Sequence, residues 1–195
     1  MAKKFLVAGI DEVGRGPLAG PVVAAALVLK DSSLSLRGSF DSKRLSERAR
    51  EELYAVLKAH PGVEWGIGMV SERVIDRVNI RNATRLAMEK AVRNLEKKGV
   101  GVGELIIDGN MLLSLPCKQR AVPHGDDTVP LCMLASIVAK VERDRLMRRL
   151  HQKYPKYGFD RHKGYGTRYH MEALKKYGPC PLHRKSFAPV ARSLS

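Results

Sequence analysis

Disulfide chemistry has almost nothing to work with in this chain. Three cysteines, Cys117, Cys132 and Cys180, are spread over 195 residues, odd in number and without a C-x-x-C spacing. That excludes a disulfide scaffold or a zinc knuckle and points to a reducing, cytoplasmic setting. Long apolar runs are missing too. None approaches the roughly 18 residues that read as a bilayer span. The run after Lys3 and Lys4 is cut short by Asp11 and Glu12, so neither a membrane span nor a secretory leader is expected. Acidic side chains are in short supply, 20 against 35 Lys and Arg, for a formal net charge of +15. Such a balance suits a polyanionic partner, nucleic acid first. No internal repeat or low-complexity tract stands out.

What is present reads as one domain over residues 1–195, with an α/β core to about 153 and a basic helical extension over 154–195. Phe5 to Ile10 and Pro21 to Leu29 are apolar runs of buried-strand type, joined by a glycine-rich stretch. "VEWGIGMV" (63–70) is a weaker strand whose glycines signal a bulge or close packing. "ELIIDGN" (104–110) is another buried strand ending in a carboxylate. Ser46 is placed as the N-cap of a helix reaching about His60. Met88, Ala91, Val92 and Leu95 form a helical stripe that stops at Lys97-Lys98-Gly99. A long helix from Pro130 carries Leu134, Ile137, Val138 and Val141 on one face, with Arg143, Arg145, Arg148 and Arg149 beyond. A short one spans about Thr167 to Tyr177. Strands alternating with helices imply a mixed sheet.

Two apolar strands end in acids, Asp11-Glu12 and Asp108, and Asp126 follows in "HGDD". Strand ends at one edge of an α/β sheet are where sites are built. Carboxylates crowded there repel unless counter-charge is supplied, and oxygen-only ligands suit Mg²⁺ or Mn²⁺. Two such ions, about 3.5–4 Å apart, promote phosphodiester hydrolysis. Successive strand residues face opposite ways, so Asp11 and Glu12 share a site only if the strand ends or bulges between them. The plainer reading makes Glu12 a surface acid paired with Arg15.

The glycines after these acids are not a P-loop, since no G-K-[ST] follows and Pro17 stands where a helix would open. They let backbone approach a sugar-phosphate chain, with Arg15 beside it. Tyr165, between Gly164 and Gly166 and flanked by Lys163 and Arg168, is a ring presented beside cations, which suits contact with a sugar or base.

In order along the chain, "GIDEVGRGPLAGPVV", "DSKRLS", "IIDGN", "ASIVAKVERD", "HKGYGT" and "HRKSF" resemble the motifs of ribonuclease HII, the bacterial type 2 ribonuclease H. The likeness runs from residue 8 to about 190. It implies a ribonuclease H-like fold with a mixed five-stranded sheet and a C-terminal helical extension. It implies endonucleolytic cutting of the RNA strand of RNA–DNA hybrids and at single ribonucleotides embedded in duplex DNA, leaving 3′-hydroxyl and 5′-phosphate ends. By motif, Asp11, Glu12, Asp108 and Asp126 stand at the catalytic, metal-holding acids, served by two Mn²⁺ or Mg²⁺ ions. Gly14, Arg15 and Gly16 match the stretch that senses the ribose 2′-hydroxyl, Tyr165 the tyrosine packing at the RNA-to-DNA junction, and Lys43 a lysine near the substrate phosphate. His124 stands where the family often has Lys, and Asp127 follows Asp126, so both aspartates are candidates. A monomer is expected.

Other chemistry-bearing residues read as structural. Glu142 and Asp144 are taken as intrahelical ion-pair partners. His162, His170 and His183 are assigned phosphate or backbone contacts rather than metal ligation. Cys132 is a core thiol, and Tyr154 and Tyr157 are packing residues. Cations of the region 143–185, with Lys43, are assigned to duplex phosphates. Two other functions compete: a basic nucleic-acid-binding protein that keeps the fold without catalysis, and another nuclease of the same fold, such as a junction resolvase. The set of four acids disfavours the first. The Gly-Arg-Gly and Gly-Tyr-Gly stretches, suited to a 2′-hydroxyl, disfavour the second.

Overall fold

The computed structural model describes residues 5–31 and 45–194; Lys43 and most of "DSKRLS" lie outside them. Five strands form one mixed sheet in the order β3-β2-β1-β4-β5. These are β1 (Phe5–Val13), β2 (Val22–Leu29), β3 (Val63–Val70), β4 (Gly101–Asp108) and β5 (Lys118–Val122). β2 runs antiparallel to both β1 and β3. β1, β4 and β5 are mutually parallel, so their carboxyl ends gather at one edge. β5 (KQRAV) escapes the sequence pattern because it is an edge strand with no apolar run.

The long apolar strand β2 lies inside the sheet, between β3 and β1, and is buried along nearly its whole length. Alternate residues feed two cores. Ala24, Ala26 and Val28 pack with Ala83, Ala87, Met88, Ala91 and Leu95 of α2 (Glu72–Glu96). Ala25 and Leu27 pack with Tyr54 and Leu57 of α1 (Glu47–Ala59) and Leu134, Ile137 and Val138 of α4 (Pro130–Lys153). The expected caps are in place. Ser46 accepts from the Ala49 amide at 3.1 Å, and Gly99 takes φ +85° just beyond α2.

Beyond α4, the chain folds through α5 (Phe159–His162), α6 (Arg168–Tyr177) and α7 (Ala188–Ala191) and returns to the connection between β1 and β2. Tyr157, Phe159 and Ala173 pack with Ala19 and Met147, while Leu174 and Val190 pack on Leu18. Main-chain bonds from Leu18 to Gly164, Gly20 to Leu182 and Arg184 to Leu18, each 2.8 Å, fasten the two segments. Among the described residues, no helix is long and apolar enough to cross a membrane.

The glycines of β3 serve close packing. A Cβ on Gly68 would lie 1.9 Å from the Ala87 carbonyl oxygen of α2, and one on Gly66 2.1 Å from that of Ala91. Both obstacles are backbone, so the helix itself would have to move. Gly68→Ala should therefore cost about 1–3 kcal/mol, as overpacking does. In calorimetry that is a fall of about 2–4 °C per kcal/mol, and an unchanged melting temperature would contradict this packing.

Candidate metal centre and substrate-facing loops

The pairing of β1 with β4 sets the site. Its last rung joins Ile10 to Ile107, which leaves Asp11 and Asp108 side by side at the next position. β5 ends level with Asp108 and leads through His124, whose backbone is left-handed at φ 56°, into the single turn α3 (Gly125–Thr128). That turn delivers Asp126. One carboxylate oxygen from each of Asp11, Asp108 and Asp126 lies within 4.8 Å of the others. Asp11 and Asp126 are buried, whereas Asp127 is exposed and outside the cluster.

Two of the acids are held by main-chain donors. Asp108 Oδ1 accepts from the Gly125 amide at 2.6 Å and the Asp126 amide at 3.3 Å. Asp11 Oδ1 accepts from the Glu12 amide at 2.7 Å, and the nearby Ser136 hydroxyl of α4 partly offsets the burial-driven rise of the Asp11 carboxyl. Helix α4 comes this close because residue 9 is glycine: a Cβ there would lie 2.3 Å from the Leu131 carbonyl carbon. Burial pushes the Asp11 carboxyl well up, and the charges of Glu12 and Asp108 add to the rise. The donor set fits a hard divalent cation. Three carboxylate oxygens converge in a partly dehydrated corner, and a cation there offsets their repulsion.

Glu12 behaves differently from its neighbour. The strand runs regularly through it, paired Asp11 to Ala25 and Glu12 to Ala24. No bulge turns the two acids together in this pairing, yet at the strand's end the Glu12 charge still raises the Asp11 carboxyl, more than that of Asp108 does. The Glu12 carboxylate meets Arg15 at 3.2 Å, but the side chain is mostly buried, so it is not the surface acid of the plainer reading. Burial nevertheless raises it, and Asp108 adds to the rise, so Glu12 stands at the rim of the cluster, within its electrostatic reach.

The loop after β1 carries Gly14, Arg15 and Gly16, and the second loop carries Tyr165, 42% exposed. The two meet: a Cβ on Gly16 would lie 3.7 Å from the Tyr165 ring. Tyr157 packs on Phe159, their ring centroids 5.5 Å apart. Cys132 is fully buried, its thiol donating to the Ile106 carbonyl at 3.3 Å.

Several charge assignments are corrected. Arg143 and Arg184 are fully buried and do not face phosphates. Arg145 and Arg148 are ion-paired with Glu51. Exposed cations in this region include Arg149, Arg161, Arg168 and Lys185. Asp144 does pair within its helix, with Lys140 at 2.8 Å. Glu142 instead accepts from the Tyr54 hydroxyl of α1. The histidines make backbone contacts, His162 with the Tyr157 carbonyl at 2.7 Å and His170 with that of Tyr165 at 2.9 Å. The sequence reading missed the buried state of Arg143, although it continues a stripe with Ala139 and Met147 at a spacing of four. Ser136 lay within a quoted motif, but no local signal marked it as a neighbour of Asp11.

A mixed sheet with carboxylates gathered where its parallel strands end, a basic chain and glycine-lined loops beside them define a nuclease of the ribonuclease H fold. The family model described as Ribonuclease HII matches residues 8–190, and the chain belongs to that family. It is 50% identical to the ribonuclease HII of Chlamydia caviae over 95% of this chain and 85% of that protein. It is 48% identical to that of Xanthomonas campestris pv. campestris strain 8004, over 97% and 78% respectively. The crystal structure of ribonuclease H2 from Pyrococcus horikoshii OT3 superposes with a TM-score of 0.77 at 27% identity, covering 96% of each chain. The protein is thus a ribonuclease H, a hydrolase cutting the RNA strand of RNA–DNA hybrids. The non-catalytic and junction-resolvase readings give way.

The electrostatics of the acids set a stability test. A carboxyl raised in the folded state holds its proton more tightly there than in the unfolded chain. Its favourable contribution is present at low pH and is lost as pH rises through the raised value. With a chelator present, Asp11→Asn should melt higher than wild type at neutral pH, the gap closing below about pH 4. A variant that melts lower at neutral pH would contradict the crowding.

Proposed function

We propose that this ribonuclease HII cleaves at single ribonucleotides embedded in duplex DNA, at the 5′-RNA–DNA-3′ junction, as well as in longer hybrids, leaving 3′-hydroxyl and 5′-phosphate ends. The observation that carries the reading is the adjacency of Gly16, on the loop that follows the acid-bearing strand β1, and Tyr165, on the loop between α5 and α6.

Asp11, Asp108 and Asp126, with Glu12 at the rim, would hold two divalent ions, Mn²⁺ or Mg²⁺, which when bound lower the pKa of water and stabilise a departing oxygen. Asp108 is fixed by the two α3 amides and Asp11 by the Glu12 amide, so both carboxylates are set before substrate arrives. Gly14 to Gly16 admit a ribose against bare backbone, where a 2′-hydroxyl can both donate and accept. The exposed Tyr165 ring packs on the following deoxyribose, whose missing hydroxyl leaves room for it. Exposed cations such as Arg149, Arg168 and Lys185 hold phosphates without reading sequence, and Lys43 is assigned the same task by its motif.

The test is cleavage of a DNA duplex bearing one ribonucleotide, with Mn²⁺ or Mg²⁺ and with chelator, for wild type and Tyr165→Ala. An aromatic stacking contact is worth about 1–3 kcal/mol. If it is made only in the productive complex, the rate should fall roughly 5- to 150-fold, with melting temperature and plain-duplex binding unchanged. A rate equal to wild type, or one lost wholly through unfolding, would reject the role of Tyr165. Cleavage that persists in chelator would reject the metal assignment.

A further inference from the structure

Two arginines with no part in the mechanism above lie side by side beneath the substrate-facing loops. Arg143 of α4 and Arg184 of the C-terminal segment are both fully buried. Their donors go to main-chain carbonyls. Arg143 reaches Pro21 at 3.0 Å, Ala19 at 3.2 Å and Lys163 at 2.9 Å. Arg184 reaches Gly20 at 3.0 Å, Arg15 at 2.9 Å and Gly14 at 2.5 Å. Burial brings Arg143 down to about 10. Burial and the neighbouring Arg143 charge bring Arg184 down to about 9. Both are therefore charged at neutral pH, which makes a closely placed pair of buried like charges. Such a pair is costly compared with apolar side chains of similar volume.

The carbonyls they collect explain why the cost is borne. Five belong to the connection from Gly14 to Pro21, and the sixth belongs to the Tyr165 loop. In a trans peptide the carbonyl of one residue and the amide N–H of the next point in opposite directions. Drawing the Gly14 and Arg15 carbonyls inward onto Arg184 therefore turns the Arg15 and Gly16 amides away from it, in an exposed stretch where a Cβ on Gly16 would lie 3.7 Å from the Tyr165 ring. Arg143 ties the same connection to the Lys163 carbonyl, two residues before Tyr165. The fit is tight: a Cβ on Gly14 would lie 2.2 Å from Arg143 Nε, and Gly14 itself has φ +94°.

We propose that Arg143 and Arg184 are positioning residues for cleavage, locking the Gly14–Pro21 connection to the Lys163–Gly166 loop so that the Arg15 and Gly16 amides and the Tyr165 ring face a ribonucleotide in fixed register. The proposal rests on the junction-cleaving reading above. It differs from a merely stabilising role in what it makes depend on the guanidinium fork. Lysine keeps the charge but not the planar set of donors. Methionine removes the buried charge and its like-charge repulsion with Arg184, but leaves three buried carbonyls without their donor.

The test compares wild type, Arg184→Lys and Arg143→Met. It reads single-turnover cleavage of a duplex with one embedded ribonucleotide, affinity for the all-DNA duplex, melting temperature, and amide hydrogen exchange. Rates are taken per folded molecule, well below each melting temperature. Both variants should lose cleavage on the order of 10²-fold, the scale of a misplacement near 1 Å. All-DNA affinity should stay at the wild-type value, and exchange should quicken at residues 14–20 and 163–166. Cleavage at the wild-type rate overturns the proposal. So does slowed cleavage with unaltered exchange at both loops, or failure of both variants to fold, since the pair would then serve the core alone. A wild-type protein that leaves the embedded ribonucleotide uncut overturns the junction reading itself, an outcome that cannot be confused with equal cutting by wild type and variants.

Discussion

Mutual repulsion among three carboxylates is the constraint around which this molecule is arranged. Asp11, Asp108 and Asp126 offer oxygens within 4.8 Å of one another, an arrangement that no folded chain adopts without compensation. The parallel register of β1 and β4 imposes it. The bare backbone of Gly9 admits α4 against the sheet, and α4 brings the Ser136 hydroxyl to Asp11. The α3 turn exists to place Asp126 while lending its amides to Asp108. Even the thiol beneath the cluster conforms: burial pushes Cys132 up to about 12, so it adds no fourth negative charge.

Positive charge is divided between two tasks. Exposed cations such as Arg149, Arg168 and Lys185 provide the field that attracts a polyanion. Inside, Arg143 and Arg184 act as hydrogen-bond donors to irregular backbone, a setting where unpaired carbonyls would otherwise be buried at a cost. Histidines extend the same service to the Tyr165 loop. His170 and His183, their Nε2 atoms 3.1 Å apart, are each lowered to about 4, by burial above all. They are therefore neutral at physiological pH, and His170 contacts the Tyr165 carbonyl while His162 accepts from the Gly164 amide. Loops that meet a substrate are thus underpinned by buried polar side chains rather than by apolar packing alone.

Much of this was legible before any coordinates. The apolar runs of β1 and β2 are nearly unbroken, and the short apolar stripes at 88–95 and 134–141 recur at helical spacing; these elements fall where the pattern put them. β5 was hidden because an edge strand buried on neither face carries no apolar signature. At the site, strand-end acids were readable, but choosing between Asp126 and Asp127 needed the left-handed residue His124 and the single turn after it. Glu12 stays within electrostatic reach of Asp11 and Asp108 although the strand is regular through Val13, which alternation alone did not foretell. Counting arginines could not separate those buried against carbonyls from those facing solvent, since the distinction arises from chain segments more than a hundred residues apart. The ribonuclease HII motifs named the family, while the physical roles of Arg143 and Arg184 came only from packing.

The central claim, that Asp11, Asp108 and Asp126 form one divalent-cation site, is tested most directly by titrating Mn²⁺ and following the free-ion electron paramagnetic resonance signal. Wild type and Asp127→Asn should deplete the free ion alike, because Asp127 lies outside the cluster. Asp108→Asn, folded by circular dichroism, should lose that depletion. Depletion by Asp108→Asn equal to wild type, or its loss in Asp127→Asn, would contradict the account.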